Sequence, residues 1–244
     1  MELVEVFSVT YIGGDGAAPS GKISIYDGKR GQIIYRRHKP STCSAQNEKK
    51  AVQLPLTGPY RGISADGCVA IELDLHHDCP YRESSYVTEI LIDIYDDSIE
   101  YDLAITKEVK TCSCPHSPRA AVKYAILSDA VEAIVEVKLR QRDDPAGCCY
   151  VKCKIVALSD LGEVVLFESN DVKKLNGPSH GLTTIPLTRS VLAVPLEFLP
   201  TIKLDLHICS TGEIVKETVL CKPNLDSEHH GQNGVLQVKL TCSD

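Results

Sequence analysis

The chain has 244 residues, 43% of them apolar, and a formal net charge of −7, with Lys and Arg scattered along its length. That length suffices for one large core or two small ones. The lack of a basic stripe argues against a nucleic-acid partner or a polybasic membrane-surface segment, and no apolar run approaches the ~20 residues needed to span a bilayer.

The opening residues, MELVEVFSV, enter a strand pattern at once, without the charged and long apolar regions of a signal peptide. The eleven cysteines are odd in number and irregular in spacing, and no Asn-x-Ser/Thr sequon occurs. Free thiols in a reducing compartment are therefore expected, most of them as small buried core residues. These features place the chain in the cytoplasm, with the nucleus as the alternative.

Alternation of apolar and polar residues over 4–9 predicts a first strand, closed by a turn at Gly13–Gly16. Strands follow at 21–26 and 31–37, separated by Asp27-Gly28-Lys29-Arg30, and then a polar loop over 38–50. Further strand-like runs lie at 52–57, 61–64, 68–76, 86–95 and 99–106. Near the middle, RAAVKYAILSDAVEAIVEVKLRQR (119–142) carries apolar residues at every second position, with the parity changing across Ser128-Asp129. This reads as a β-hairpin with arms at 120–127 and 131–141, although its alanines leave a helical second arm as an alternative.

After the centre the same order of segments returns. Val4-Glu5-Val6 matches Val135-Glu136-Val137, Leu54-Pro55-Leu56-Thr57 matches Ile185-Pro186-Leu187-Thr188, and Ile71–His76 matches Ile202–His207, each at a shift of 131. Lys22-Ile23 aligns with Lys154-Ile155 at 132, and Gly31–Ile34 with Gly162–Val165 at 131. Three separated matches on one shift predict a tandem duplication, with a first half at 1–128 and a second at 129–244. The fold class expected is all-β: two sandwich-like halves of about eight short antiparallel strands each, joined by the central hairpin. Pro55 and Pro186, each inside a strand pattern, mark an edge strand or a bulge in each half.

VEVFSV (4–9), LTGPYRGI (56–63) and VKYAILSDAVEAIVEVKL (122–139) together resemble a plant family, expanded in grasses, known as domain of unknown function 6598. Leu56, Thr57, Gly58, Pro59, Arg61, Gly62 and Ile63 fill its second motif, and Lys123, Tyr124, Ala125, Ala130, Val131, Glu132, Ala133, Val135, Glu136 and Val137 its third. The resemblance covers essentially the whole chain; the cysteine-rich segments 112–114 and 148–153 depart from it. It implies no catalytic residues and no cofactor, and it implies a plant stress or defence setting.

Three constellations bear on chemistry. Asp74/His76 and Asp205/His207 stand two apart in a strand, so each pair shares one face while Leu73, Leu75, Leu204 and Leu206 point to the core. They form a candidate binding face; an acid–base reading would also need a nucleophile or bound water in reach. Cys112, Cys114 and His116 offer three soft or borderline ligands for zinc or copper, with Cys148, Cys149 and Cys153 as a second half if the fold brings them near. Asp93, Asp96, Asp97 and Glu100 cluster across a turn between strands, where calcium is the candidate cation; the second half has no matching cluster. No phosphate-binding loop, nucleophile elbow or metalloprotease helix occurs.

The function expected is therefore a non-enzymatic interaction protein that binds another protein or itself, with no cofactor. The alternatives are a metal-dependent or hydrolytic enzyme with a site between the halves, and a Ca²⁺-dependent lipid-binding module.

Overall fold

A computed structural model describes residues 1–13, 18–28, 30–38, 51–76, 87–111, 118–141, 148–176, 182–197, 200–209, 211–230 and 234–243. Every regular element among them is a β-strand, and the chain divides into two compact units, Met1–Asp129 and Ala130–Asp244. Among the described residues no helix is long and apolar enough to cross a membrane.

The first unit holds β1 (Leu3–Ile12), β2 (Ser20–Tyr26), β3 (Gly31–Arg37), β4 (Ala51–Gln53), β5 (Ile63–Ser64), β6 (Cys68–His76), β7 (Thr88–Asp93), β8 (Ile105–Lys110) and β9 (Arg119–Leu127). One sheet has the order β4-β1-β9-β8, with β5 also on β1; the other is β3-β2-β6-β7, and all pairings are antiparallel. Val4, Val6, Val9, Val122 and Tyr124 from the first sheet and Ile23, Ile25, Ile71, Leu73 and Ile90 from the second form one buried core. This is the sandwich that period-two strands dictate, since each sheet must bury one face.

The second unit holds β10 (Ala130–Gln141), β11 (Cys148–Ser159), β12 (Gly162–Asn176), β13 (Thr183–Thr184), β14 (Val191–Pro195), β15 (Thr201–Ile208), β16 (Glu213–Leu220), β17 (Asp226–His230) and β18 (Gly234–Cys242). Its sheets are β13-β10-β18-β17, with β14 on β10, and β12-β11-β15-β16. The topology of the first unit therefore recurs strand for strand, with nine strands in each among the described residues where about eight were expected. Cross-strand partners recur as well: Lys22 faces Asp74 as Lys154 faces Asp205, and Ser24 faces Glu72 as Val156 faces Lys203. A break in register between Ile23 and Ser24 on β2 returns between Ile155 and Val156 on β11. Bulges re-aim strands and are specific features of a sheet, so this recurrence carries more weight than alternation alone.

Two differences from the sequence reading concern how strands pair. Among the described residues β9 and β10 do not form a hairpin: β9 bonds to β1 and β8, and β10 to β13, β14 and β18, so both edges of each strand are occupied. Ser128, at the expected turn, is instead tied to the loop before β8. Its N–H donates to Asp102 Oδ1 at 3.1 Å, its hydroxyl to Asp102 Oδ2, and Asp102 N–H donates to the Ile126 carbonyl at 2.7 Å. Asp102 has a φ of 56°, a conformation that Asp tolerates better than most residues. Alternation identifies a strand but leaves its partner open.

The second difference lies in the first strand of each unit. Leu54 N–H donates to the Val9 carbonyl and Ile185 N–H to the Val137 carbonyl, so Val137 takes the place of Val9, a shift of 128. The β1 residue facing Gln53 is Thr10 and the β10 residue facing Thr184 is Lys138, again 128 apart. Val135-Glu136-Val137 is thus not the counterpart of Val4-Glu5-Val6; the repeated Val-Glu alternation produced a match out of step with the pairing. Pro55 and Pro186 each stand two residues past the end of a short edge strand, β4 or β13, outside the ladders.

Candidate functional site

In the first unit the four-stranded sheet turns Leu73 and Leu75 of β6 into the core and leaves Asp74 and His76 on the opposite face, partly exposed. His76 Nε2 lies 3.3 Å from Asp74 Oδ1, an ion pair when the imidazole is protonated. Cross-strand neighbours on β2 are Lys22 for Asp74 and Ser20 for His76, and Ser20 Oγ donates to the His76 carbonyl at 3.5 Å. Gly21 makes this close approach possible. Its φ is +121°, and a Cβ there would stand 2.0 Å from the Asp74 carbonyl oxygen, so no other residue fits beneath the pair.

In the second unit Asp205 and His207 occupy the same register on β15, with Leu204 and Leu206 buried behind them. The chemistry around them differs. Lys216 Nζ of β16 lies 3.5 Å from Asp205 Oδ2, and the β11 neighbours are Lys154 for Asp205 and Lys152 for His207. Asp74 and His76 are thus half-buried, and Asp205 and His207 exposed, each pair on the side of its sheet opposite the buried leucines.

The acidic turn does not form a cation cage. Asp93 Oδ1 accepts from Tyr95 N–H at 3.1 Å, and Asp96 Oδ1 accepts from Ser98 N–H at 2.9 Å and from the Ser98 hydroxyl at 2.7 Å. Those Ser98 bonds, the backbone one first, hold the Asp96 carboxyl below the usual carboxylate range. Each carboxylate serves its own turn, and among the described residues no three His, Cys, Asp or Glu side chains, Asp97 and Glu100 included, come together so as to hold a metal ion. Cys112, Cys114 and His116 lie outside the described residues, as do the side chains of Cys148 and Cys149. Cys153 is buried.

Among the described residues Cys68, Cys209, Cys221 and Cys242 are free thiols; Cys153 and Cys221 are buried, Cys68 is exposed, and Cys209 and Cys242 are intermediate. Burial pushes the Cys221 thiol up to about 11 and raises Cys242 as well, which keeps both protonated and unreactive at neutral pH.

The most elaborate polar constellation went unassigned in the sequence. Asp27, at the β2–β3 turn, has a side chain only 1% exposed and takes both terminal nitrogens of Arg61, Nη2 at 2.8 Å. Ser64 N–H donates to the same carboxylate at 3.0 Å, and Arg61 also donates to the Gly62 and Arg30 carbonyls. Gln32 completes the knot: its Oε1 accepts from Tyr60 and Arg61 N–H, and its Nε2 donates to the Arg61 carbonyl. The LTGPYRGI segment is thereby clamped onto the β2–β3 turn, and Tyr60, 75% exposed, is held out at its tip. The available signal was Arg61 within that motif; its partner Asp27 lies 34 residues away.

A family described as Domain of unknown function (DUF6598) matches residues 3–243. The chain belongs to this family. No curated protein matches it. Among solved structures it is similar to a human GIVD cytosolic phospholipase A2 at 9% identity and a TM-score of 0.31, covering 99% of this chain but 31% of the other. It is also similar to the paired C2 domains of Extended-Synaptotagmin 2, at 9% identity and a TM-score of 0.28, over 99% of this chain and 90% of that one. The calcium-bound form of that pair gives 10% identity and 0.29 over 99% and 96%. At such scores the functional reading rests on the residues of this DUF6598 chain alone.

Proposed function

We propose that this DUF6598 chain is a non-enzymatic binding protein, a tandem duplicate that meets a protein partner with the outer faces of its two four-stranded sheets. The observation that carries this reading is the recurrence of an Asp-x-His pair in one register on the solvent-facing side of both sheets. Core packing needs leucine on the inner side of β6 and β15 and places no demand on the outer side, so the repeated pair calls for a role at the surface. Against the enzyme and calcium-module readings stands donor geometry: Asp93 and Asp96 are engaged in their own turn, and no convergent ligand set forms among the described residues. A plant stress or defence setting and a cytoplasmic location rest on the family resemblance and on cysteine usage.

The test is capture from an extract of the source cells with immobilised chain, wild type against Asp74→Ala/His76→Ala/Asp205→Ala/His207→Ala. Asp205 and His207 are exposed and Asp74 and His76 half-buried, so thermal unfolding is followed alongside and should stay within several degrees of wild type. Loss of specific partners supports the proposal. Retention of every partner by the fourfold variant refutes it.

A further inference from the structure

The two outer faces are alike in register and differ in charge. On the first unit, Glu72 and Glu89 face each other across β6 and β7. At the corresponding places on the second unit, Lys203 faces Thr218 across β15 and β16. A lysine also enters at Lys152, opposite His207 where Ser20 stands opposite His76. The cations of the first face, Lys22 and Arg36, stand in register across β2 and β3, with Lys22 also beside Asp74, so that Glu72, Glu89 and Asp93 on the β6–β7 side face no cation in register. Of the carboxylates on the second face, Glu168 lies 3.7 Å from Lys154 Nζ and Asp205 3.5 Å from Lys216 Nζ, and Glu163 stands at the far end opposite Leu158, which leaves Lys152 and Lys203 as cations without a carboxylate opposite. Each face keeps an exposed leucine at one corner: Leu91 opposite Ala70, 55% exposed, and Leu220 opposite Thr201, 54% exposed. An apolar anchor beside carboxylates on one face thus has its counterpart beside lysines on the other.

We propose that the partner recognised by these faces is a second copy of this chain, the acidic face of one molecule docking on the basic face of another. The inference rests on the binding reading above and narrows it to self-recognition. Opposite potentials steer and orient such a contact, while like faces repel. A heterologous contact of this kind closes into a dimer when each molecule gives both faces to the other, and otherwise extends into a chain. Four strands about 4.8 Å apart and about six residues long give roughly 400 Å² per face, so one face pair removes about 800 Å². That is a transient contact; two reciprocal pairs reach the standard size of about 1,600 Å².

The experiment is sedimentation velocity on the full chain from about 1 to 100 μM, in low salt and in about 0.5 M salt. Wild type should self-associate with concentration and dissociate in high salt. Glu72→Lys/Glu89→Lys makes both faces basic, Lys152→Glu/Lys203→Glu makes both acidic, and each alone should shift the association midpoint at least about tenfold toward monomer. An equimolar mixture of the two should associate again, which generic stickiness or misfolding cannot produce. A wild type that is monomeric throughout, variants that associate as wild type does, or a mixture that stays monomeric overturns the proposal. So does a monomer whose Lys152→Glu/Lys203→Glu form loses sedimentation with phosphatidylserine vesicles, since the basic face then serves a membrane. A monomeric chain that still loses extract partners on the fourfold alanine change overturns only self-recognition and leaves the binding reading intact.

Discussion

Arg61→Ala removes the guanidinium that pairs with the nearly inaccessible carboxylate of Asp27, while the backbone donors from Ser64 and Arg30 stay in place. Breaking a buried pair by deleting one partner costs about 3–5 kcal/mol, and because the Arg61 side chain is 31% exposed, so that water can reach the vacated site, about 2–4 kcal/mol is expected here. For a unit of this size that lowers Tm by about 10 °C. Nine of the ten tyrosines precede residue 130 and tryptophan is absent, so near-ultraviolet circular dichroism of tyrosine reports the first unit selectively during urea or thermal unfolding. Asp27→Asn keeps the shape and loses the charge, and a double change with Arg61→Met should recover part of the loss, because no lone charge then stays buried. A destabilisation by Arg61→Ala below about 0.5 kcal/mol, the scale of an exposed ion pair, would refute the claim that this knot holds the LTGPYRGI segment.

Further outcomes follow from the same structure. Gly21→Ala should destabilise the first unit by more than about 2 kcal/mol in urea unfolding, since the new methyl meets the Asp74 carbonyl and the backbone must leave a glycine conformation; a neutral result would remove the close packing beneath Asp74 and His76. Burial lifts the Cys221 thiol from 9.0 to about 11, so the unfolded chain releases its proton first as pH rises, and the second unit should lose about 2 kcal/mol between pH 8 and pH 11. That loss is fully absent below pH 8 and should shrink in Cys221→Ala, whereas identical pH profiles would contradict it. Adding about 1 mM Ca²⁺ should leave Tm unchanged, because Asp93 and Asp96 serve their own turn; a rise of several degrees would restore the calcium reading.

Much of the fold was legible because a period of two is a strong constraint: CVAIELDLH and TIKLDLHI alternate so regularly that both the strand and its inward face follow directly. What parity cannot supply is the partner. β9 and β10 look like hairpin arms in sequence, yet each finds neighbours far away, because a strand binds whichever edges the rest of the sheet offers. The strand expected at 99–106 begins instead at Ile105, since Ser98 and Asp102 commit their hydrogen bonds to turns. At the candidate site the shared face of each Asp-x-His pair was readable from spacing, while Lys216 beside Asp205 and the Asp27–Arg61 knot depend on contacts between distant segments.

The claim that the four-stranded sheets carry the binding surface is tested most directly by lysine footprinting. The chain is acylated free and in complex, whether with partners captured from extract or with itself at high concentration, and each lysine is quantified by mass spectrometry. The account predicts protection at Lys203, Lys154 and Lys152 in the complex, with Lys138 and Lys239 of the other sheet of that unit reacting as before. Protection at Lys138 and Lys239 with Lys203 unchanged would place the binding surface on the wrong sheet and contradict it.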